Sequence, residues 1–416
     1  MGRTNGMNVE VVEHLTGSLD ATVAPLSGLA AATSRAVTES QNPSGAFDTG
    51  IATGSFAIAR SASVELRAAM ADAEALIARL SLEVAAQRAA SAVTRGSATS
   101  TGARNHDALF DSDDPDDVER YWNSLTDAER ASLISSHSVE IGNLDGIPLH
   151  DRIAANAETA RVRATDASLS KKEREYLDAV ANGDRKLVIF DPDNQRIVEM
   201  IGDFDEDTER VITYVPGTGA DEASFHGGSV QQVSTYLVEA DPDGRTVAFV
   251  VKDGKWADWG YFQGSANNDR DFTDGVGTKI ADFHEVVLRE PYLADAEQIG
   301  IAHSWGMSAL SSSETHGAEY DKVFSLSGAW LAPDWKPTSG TDYFHLQYGI
   351  DAINYAEIEG DYPHENVNFT KTTLAPNTFE ILGVEFQDEA ANHARSSQGE
   401  AQNQDLLIKV RHEIYG

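Results

Sequence analysis

The chain of 416 residues contains no cysteine. That absence excludes disulfides, thiolate zinc sites and cysteine nucleophiles together, so catalysis must come from oxygen or nitrogen groups. Basic residues are also scarce, with 32 Lys and Arg against 67 Asp and Glu and a formal net charge of -35. A surface of that sign repels nucleic acid backbones and anionic lipid headgroups, both of which need clustered cations to displace counterions, so neither is an expected partner. No apolar run approaches the length of a bilayer-spanning helix, and no integral membrane segment is expected. Met1 to Leu19 lacks the basic region, apolar core and small-residue cleavage site of a conventional secretory signal. The expectation is therefore a cytoplasmic protein, or one exported by a route without a conventional signal peptide.

Two motifs are missing as well. His284-Glu285 opens like a zinc-peptidase helix, but Leu288 stands where the second histidine is required. Asp203, Asp205 and Asp207 have the opening spacing of a calcium loop, yet Thr208 and Tyr214 occupy its glycine and glutamate positions, which leaves a solvated acidic turn. No metal and no cofactor is expected.

What remains is a chain longer than one ordinary core, which implies one large domain with an appendage, or two domains. From Val12 to Leu29 the residues Val12, Leu15, Leu19, Leu26 and Leu29 share one helical stripe. Leu66, Met70, Ala73, Ile77, Leu80 and Val84 form a second, with heptad spacing, and the breaker cluster Gln41 to Ala46 separates the two. Residues 1–93 are thus expected as an antiparallel helical hairpin. Residues 94–114, rich in Ser, Thr, Gly and Ala at their start, read as a flexible linker. Residues 115–416 form the main domain, opening with a helical lead-in over 115–182. There Asp114-Pro115 offers an N-cap and a proline at the first helical position, and Thr126 with Glu129 and Ser170 with Glu173 match the capping box.

From Lys186 the hydrophobic period changes. Runs at 186–190, 196–201, 210–215, 246–251, 298–302, 322–327, 344–348 and 379–386 read as strands, and the gaps at 229–239, 275–289 and 308–315 suit crossover helices. That is a mostly parallel α/β sheet of about eight strands flanked by helices. Within it, Gln298 to Ala302 runs into His303-Ser304-Trp305-Gly306 and then into Met307 to Leu310, a strand, a tight turn and a helix. This is the context of a nucleophile elbow in an α/β-hydrolase fold, where the residues two before and two after the serine must be small. Ala302 and Gly306 meet that requirement, although the first position is usually glycine.

A serine hydroxyl needs a histidine to take its proton and a carboxylate to orient that histidine. In this architecture the chain order is Ser, acid, His. Asp351, just past the strand ending at Tyr348, is the candidate acid, with Asp361 and Asp388 in reserve. His393, in the loop expected after the strand 379–386, is the candidate base, chosen from 12 histidines. The backbone N–H groups of Trp305 and of Thr218, in the loop Pro216 to Gly219, are the candidate oxyanion donors. That loop lacks the Lys-Ser/Thr of a phosphate cradle. The His303 side chain is expected to point away from the serine and to pack. Trp256, Trp259, Tyr261, Phe262, Trp330 and Trp335 either line an acyl pocket or cover the sheet edge.

At these residues a family resemblance becomes visible. Asp117 to Arg130 (Asp-Val-Glu-Arg-Tyr-Trp-Asn-Ser-Leu-Thr-Asp-Ala-Glu-Arg), Ile141 to Pro148 with Arg152 and Asn156, Val215 to Gly219 and Ala302 to Gly306 together resemble an actinobacterial α/β-hydrolase family long catalogued as a domain of unknown function. The likeness spans about residues 115–400 and departs from the family pattern at Ala302, for Gly, and at Trp305, for Tyr. It implies a serine hydrolase with no settled substrate. Members often carry an N-terminal helical segment like small type VII secretion substrates, and the hairpin is similar, with Pro43-Ser44-Gly45 in place of the Trp-x-Gly turn.

The sequence thus leads to hydrolysis of a carboxylic ester, or of an amide or thioester, through an acyl-enzyme. The substrate expected is a small-molecule or lipid-like ester, and the hairpin is the expected place for a protein partner. The alternatives are a catalytically inactive hydrolase-fold interaction protein or a type VII-like secreted effector.

Overall fold

The computed structural model describes residues 106–416 except 113, 259–268, 356–359 and 382–383. The hairpin expected over 1–93 and the first part of the linker lie outside the described residues, as do Trp259, Tyr261 and Phe262. No helix among the described residues is long and apolar enough to cross a membrane.

After one helical turn at Asp107–Phe110, five helices form the lead-in: α1 (Pro115–Asn123), α2 (Asp127–Ser136), α3 (Ser138–Asn143), α4 (Leu149–Arg163) and α5 (Lys171–Ala181). Their starts follow the sequence signals. Asp114 caps α1 with Pro115 at the first helical position, and Thr126 and Glu129 complete both bonds of a capping box on α2. At α5 the Ser170 hydroxyl accepts from Glu173 N–H at 3.2 Å. The lead-in has its own small core of Val118, Trp122, Leu125, Leu133, Ile141 and Ile147, in which Leu109, from the stretch read as linker, is also buried.

It also finishes one edge of the sheet. Asn143 pairs with Phe190 through both atoms of its side-chain amide, each at 3.0 Å, and Asn156 donates to the Leu187 carbonyl at 3.0 Å. The amides take backbone groups that an edge strand otherwise leaves open to pairing.

The sheet has eight strands: β1 (Lys186–Asp191), β2 (Arg196–Ile201), β3 (Arg210–Val215), β4 (Thr246–Asp253), β5 (Glu297–His303), β6 (Lys322–Leu326), β7 (Asp342–Tyr348) and β8 (Phe369–Leu374). Their order is β1-β2-β4-β3-β5-β6-β7-β8; β2 runs antiparallel to both β1 and β4, and the pairs from β4 onward are parallel. Alternate residues serve the two faces, as the two-residue period of a strand requires. Val247, Phe249 and Val251 of β4 pack with helices α8 (Arg270–Leu288) and α9 (Gly306–Thr315), while Ala248 and Val250 pack with α6 (Glu222–His226), α7 (Gln232–Glu239) and the C-terminal helix α11 (Glu400–Tyr415). Both faces are thereby covered.

Two sequence expectations need correction here. The eighth strand is Phe369–Leu374; the segment expected as that strand forms a separate antiparallel pair, β9 (Thr378–Ile381) and β10 (Val384–Gln387). His393 lies on a helix, α10 (Glu389–Arg395), capped by the Asp388 side chain accepting from Ala391 N–H at 3.0 Å. The polar cap explains why the chain turns helical directly after β10 rather than continuing as a loop.

Candidate active site

Strand order fixes where a site can form. β3 and β5 are neighbours, but the chain leaves β3 toward β4 on one side and leaves β5 toward β6 on the other. A crevice opens at such a reversal, beyond the carboxyl ends of the strands. The β3–β5 register pairs Val215 with Ala302, so the loop Pro216 to Gly219 emerges beside His303 and Ser304.

Ser304 sits on the turn between β5 and α9 with φ of 54°, a left-handed conformation rare for a residue with a side chain. The turn is held by Ser304 N–H donating to the Leu326 carbonyl at 3.1 Å and by Ala329 N–H donating to the Ser304 carbonyl at 2.9 Å. It is also why position 306 is glycine: a Cβ there would lie 2.4 Å from the Val215 carbonyl oxygen and 2.6 Å from that of Pro216. Position 302 does accept a methyl group, and Ala302 is fully buried.

The structure brings Ser304, His393 and Asp351 together. His393 Nε2 is 2.9 Å from Ser304 Oγ, and His393 Nδ1 is 2.7 Å from Asp351 Oδ1. With Nδ1–H donated to the carboxylate, Nε2 is the acceptor for the serine hydroxyl. Asp351 is fully buried after β7, and its Oδ1 also accepts from Ile353 N–H at 2.9 Å. Burial works to raise its carboxyl pKa, but the hydrogen bond and charge of His393, with the Ser327 hydroxyl and Ile353 N–H, outweigh burial and hold it below the ordinary value. The Ser327 Oγ also bonds Ser396 Oγ at 2.6 Å, and Asp351 Oδ2 has no hydrogen-bond partner among the described residues. The two reserve acids lie elsewhere, Asp361 exposed on a loop and Asp388 capping α10.

His303 does more than fill space. Its Nε2 bonds the backbone carbonyl of His393 at 3.1 Å, with the two rings 5.0 Å apart, so it holds the helix that carries the candidate base. Burial, then the charge of His393, push its own pKa down to about 3, so it stays neutral and acts as an Nε2–H donor. Ser327 and Ser396, both fully buried, were not singled out from the sequence either. Ser327 directly follows β6 with φ of 48°, and a serine closing a strand gives no sign of that conformation in sequence.

The candidate oxyanion donors flank Ser304. Among the described residues the Trp305 backbone N–H has no acceptor. Thr218 lies in the loop whose Gly217 approaches so closely that an added Cβ would stand 3.0 Å from Ser304 Cβ and 2.7 Å from His303 Nδ1. Of the aromatic candidates, Trp335 donates its indole N–H to Glu314 at 2.7 Å and packs on Tyr343 and Phe369, covering the β7–β8 edge. Trp330 clusters with Ala329 and Tyr362, and Trp256 donates its indole N–H to the Gly217 carbonyl in the loop Pro216 to Gly219. A surface cavity of about 490 Å³ lies at the opposite ends of the strands, between the start of β1, the end of β2 and α7, without Ser304, Asp351 or His393 in its lining.

Strand order, a serine turn after β5, an acid after β7 and a histidine beyond β8 define an α/β-hydrolase fold. No family model matches the chain. A 40-residue stretch is 50% identical to Uncharacterized protein MT2140 of Mycobacterium tuberculosis, and equally to Uncharacterized protein Rv2079 of the same species. The match is 10% of this chain and spans only 6% of the length of either relative. Among solved structures, an a/b serine hydrolase without lid from Xanthomonas campestris is 14% identical with a TM-score of 0.34, over 53% of this chain and 88% of that one. A carboxylesterase from Mesorhizobium loti is 12% identical at 0.32, over 44% and 87%, and a dienelactone hydrolase from Anabaena variabilis 10% identical at 0.33, over 52% and 89%. At these TM-scores the likenesses bear no weight, and the fold stands on strand order and connections.

Proposed function

We propose that the chain is a serine hydrolase that cleaves a carboxylic ester, with an amide or a thioester as the alternative substrate class, through an acyl-enzyme. The observation that supports it most is the unbroken relay from a strained, left-handed serine through His393 to a buried, ionised carboxylate. In this reading Ser304 Oγ attacks the ester carbonyl carbon while His393 Nε2 takes its proton. The tetrahedral oxyanion is met by the Trp305 and Thr218 N–H groups, and His393 returns the proton to the departing alkoxide. Water then attacks the acyl-enzyme carbonyl, giving its proton to His393, which passes it to Ser304 Oγ as the acid leaves. Asp351 stays ionised throughout and stabilises the imidazolium.

The reading extends to membership of the actinobacterial hydrolase family named above, on the blocks Asp117 to Arg130, Val215 to Gly219 and Ala302 to Gly306. It takes a small-molecule or lipid-like ester as substrate. Residues 1–93 are the proposed place for a protein partner.

A fluorophosphonate probe tests the proposal directly. The purified full-length protein should label, and Ser304→Ala should not. No labelling of the native protein overturns the reading and leaves the fold as that of an inactive interaction protein.

A further inference from the structure

The oxyanion loop is gripped from one side by two consecutive residues past the end of β4. Trp256 donates its indole N–H to the Gly217 carbonyl at 3.1 Å. One residue on, the Ala257 carbonyl accepts from Gly219 N–H at 2.7 Å. The two peptide groups on either side of Thr218 are therefore both tethered to the 256–257 segment.

A trans peptide is planar, and its C=O and N–H point in opposite directions. The Gly217 carbonyl and the Thr218 N–H belong to one such plane, and no peptide bond among the described residues is cis. Fixing the carbonyl on Trp256 thus fixes the direction of the Thr218 N–H as well. Gly217 itself lies against the nucleophile, since a Cβ added to it would meet Ser304 Cβ at 3.0 Å. Trp256 is 5% exposed and meets the Trp305 ring edge to face, with centroids 5.3 Å apart. Trp305 is in turn pinned by its indole N–H to Thr273 Oγ1 at 3.3 Å. One indole thus links the loop bearing one proposed donor to the residue supplying the other.

We propose that Trp256 is the positioning residue of the oxyanion hole: its indole N–H holds the Gly217 carbonyl and thereby aims the Thr218 N–H toward the oxygen that becomes charged at Ser304. The inference rests on the hydrolase reading above. It assigns Trp256 a role in the transition state and none in contacting substrate. A backbone donor that must be oriented on demand loses much of its worth, because the advantage of a preorganised dipole is that no reorganisation accompanies charge development.

The test is Trp256→Phe in the full chain, which keeps a ring against Trp305 and removes the donor. On a short p-nitrophenyl ester, kcat should fall on the order of 10-fold or more, short of the 10²–10³ that loss of a whole donor costs. KM should stay unchanged, and the inhibition constant of an alkyl boronic acid, which mimics the tetrahedral adduct, should rise by the same factor as kcat falls. Fluorophosphonate should still titrate one serine per chain, which separates misaimed donors from a damaged fold. Should Trp256→Phe fail to fold, replacement by benzothienylalanine, which keeps the bicyclic shape without the N–H, gives the same comparison. A kcat and boronate affinity within twofold of the wild type in a folded variant overturn the assignment, as does a loss confined to KM. A native protein that neither turns over esters nor labels overturns the hydrolase reading, and this proposal with it.

Discussion

Residues one apart in the chain do different work at the serine turn. Ser304 faces the crevice while His303, before it, reaches under α10 to hold the His393 carbonyl. Ser304 and His393 are thus joined twice, through the Ser304 hydroxyl and through the bond from His303 to the His393 carbonyl. On the proposed mechanism, His393→Ala and Asp351→Asn should each lower kcat on activated esters by a factor on the order of 10⁴, the cost of losing the base or its correct tautomer. The melting temperature of each variant should show that the fold persists. Turnover of His393→Ala near the wild-type rate would exclude it as the base. At this scale the sequence was partly readable. Ser304, Asp351 and His393 each stand past a strand end, where chemistry gathers, and chain order sorts them by role. Ser327 also stands past a strand end, but nothing in the sequence pairs its hydroxyl with that of Ser396, 69 residues on.

Elements explain the misreadings and carry two further expectations. β8 reads Phe-Thr-Lys-Thr-Thr-Leu, with three of its six residues exposed and only Phe369 buried. Pairing only with β7, it needs no continuous apolar run, so the richer segment 379–386 gave the stronger strand signal while forming an outlying hairpin. Strands β1 to β7, each buried along most of its length, were read within two residues of their ends. At the elbow, Gly306→Ala should cost about 2 kcal/mol or more and abolish probe labelling, since the new methyl group would press on two backbone carbonyls that cannot retreat without shifting β3. Calorimetry with active-site titration checks both, and a stable, fully labelled variant would show the turn to be less constrained.

At the other end of α9, Glu314 accepts from Trp335 Nε1 at 2.7 Å and from the Tyr343 hydroxyl at 2.6 Å, yet burial dominates and raises its pKa from 4.5 to about 7. The folded state therefore binds this proton more tightly than the unfolded chain. Stability from this group falls as pH rises from about 4.5 through 7, by an amount on the order of 1–3 kcal/mol. Glu314→Gln removes the titration, so its melting temperature should gain on the wild type as pH increases from 5 to 8. A difference that stays flat, or widens toward acid, would show that the carboxylate is ionised at neutral pH.

At the scale of the whole molecule, the question is whether residues 1–93 belong to the α/β-hydrolase-fold unit or only travel with it. Both faces of the eight-stranded sheet are covered by helices drawn from residues 149–415, and the lead-in closes a third cluster of its own around Trp122. Ser304, Asp351, His393 and the loop bearing Thr218 likewise all lie within residues 106–416. Deletion of residues 1–93 should therefore leave a monodisperse protein with a melting temperature within a few degrees of the full chain and an unchanged kcat on short esters. What the deletion should abolish is capture of any protein partner, which differential pull-down with the isolated segment and the truncated hydrolase would register separately. A collapse in melting temperature would instead make the N-terminal segment part of the catalytic domain's own core.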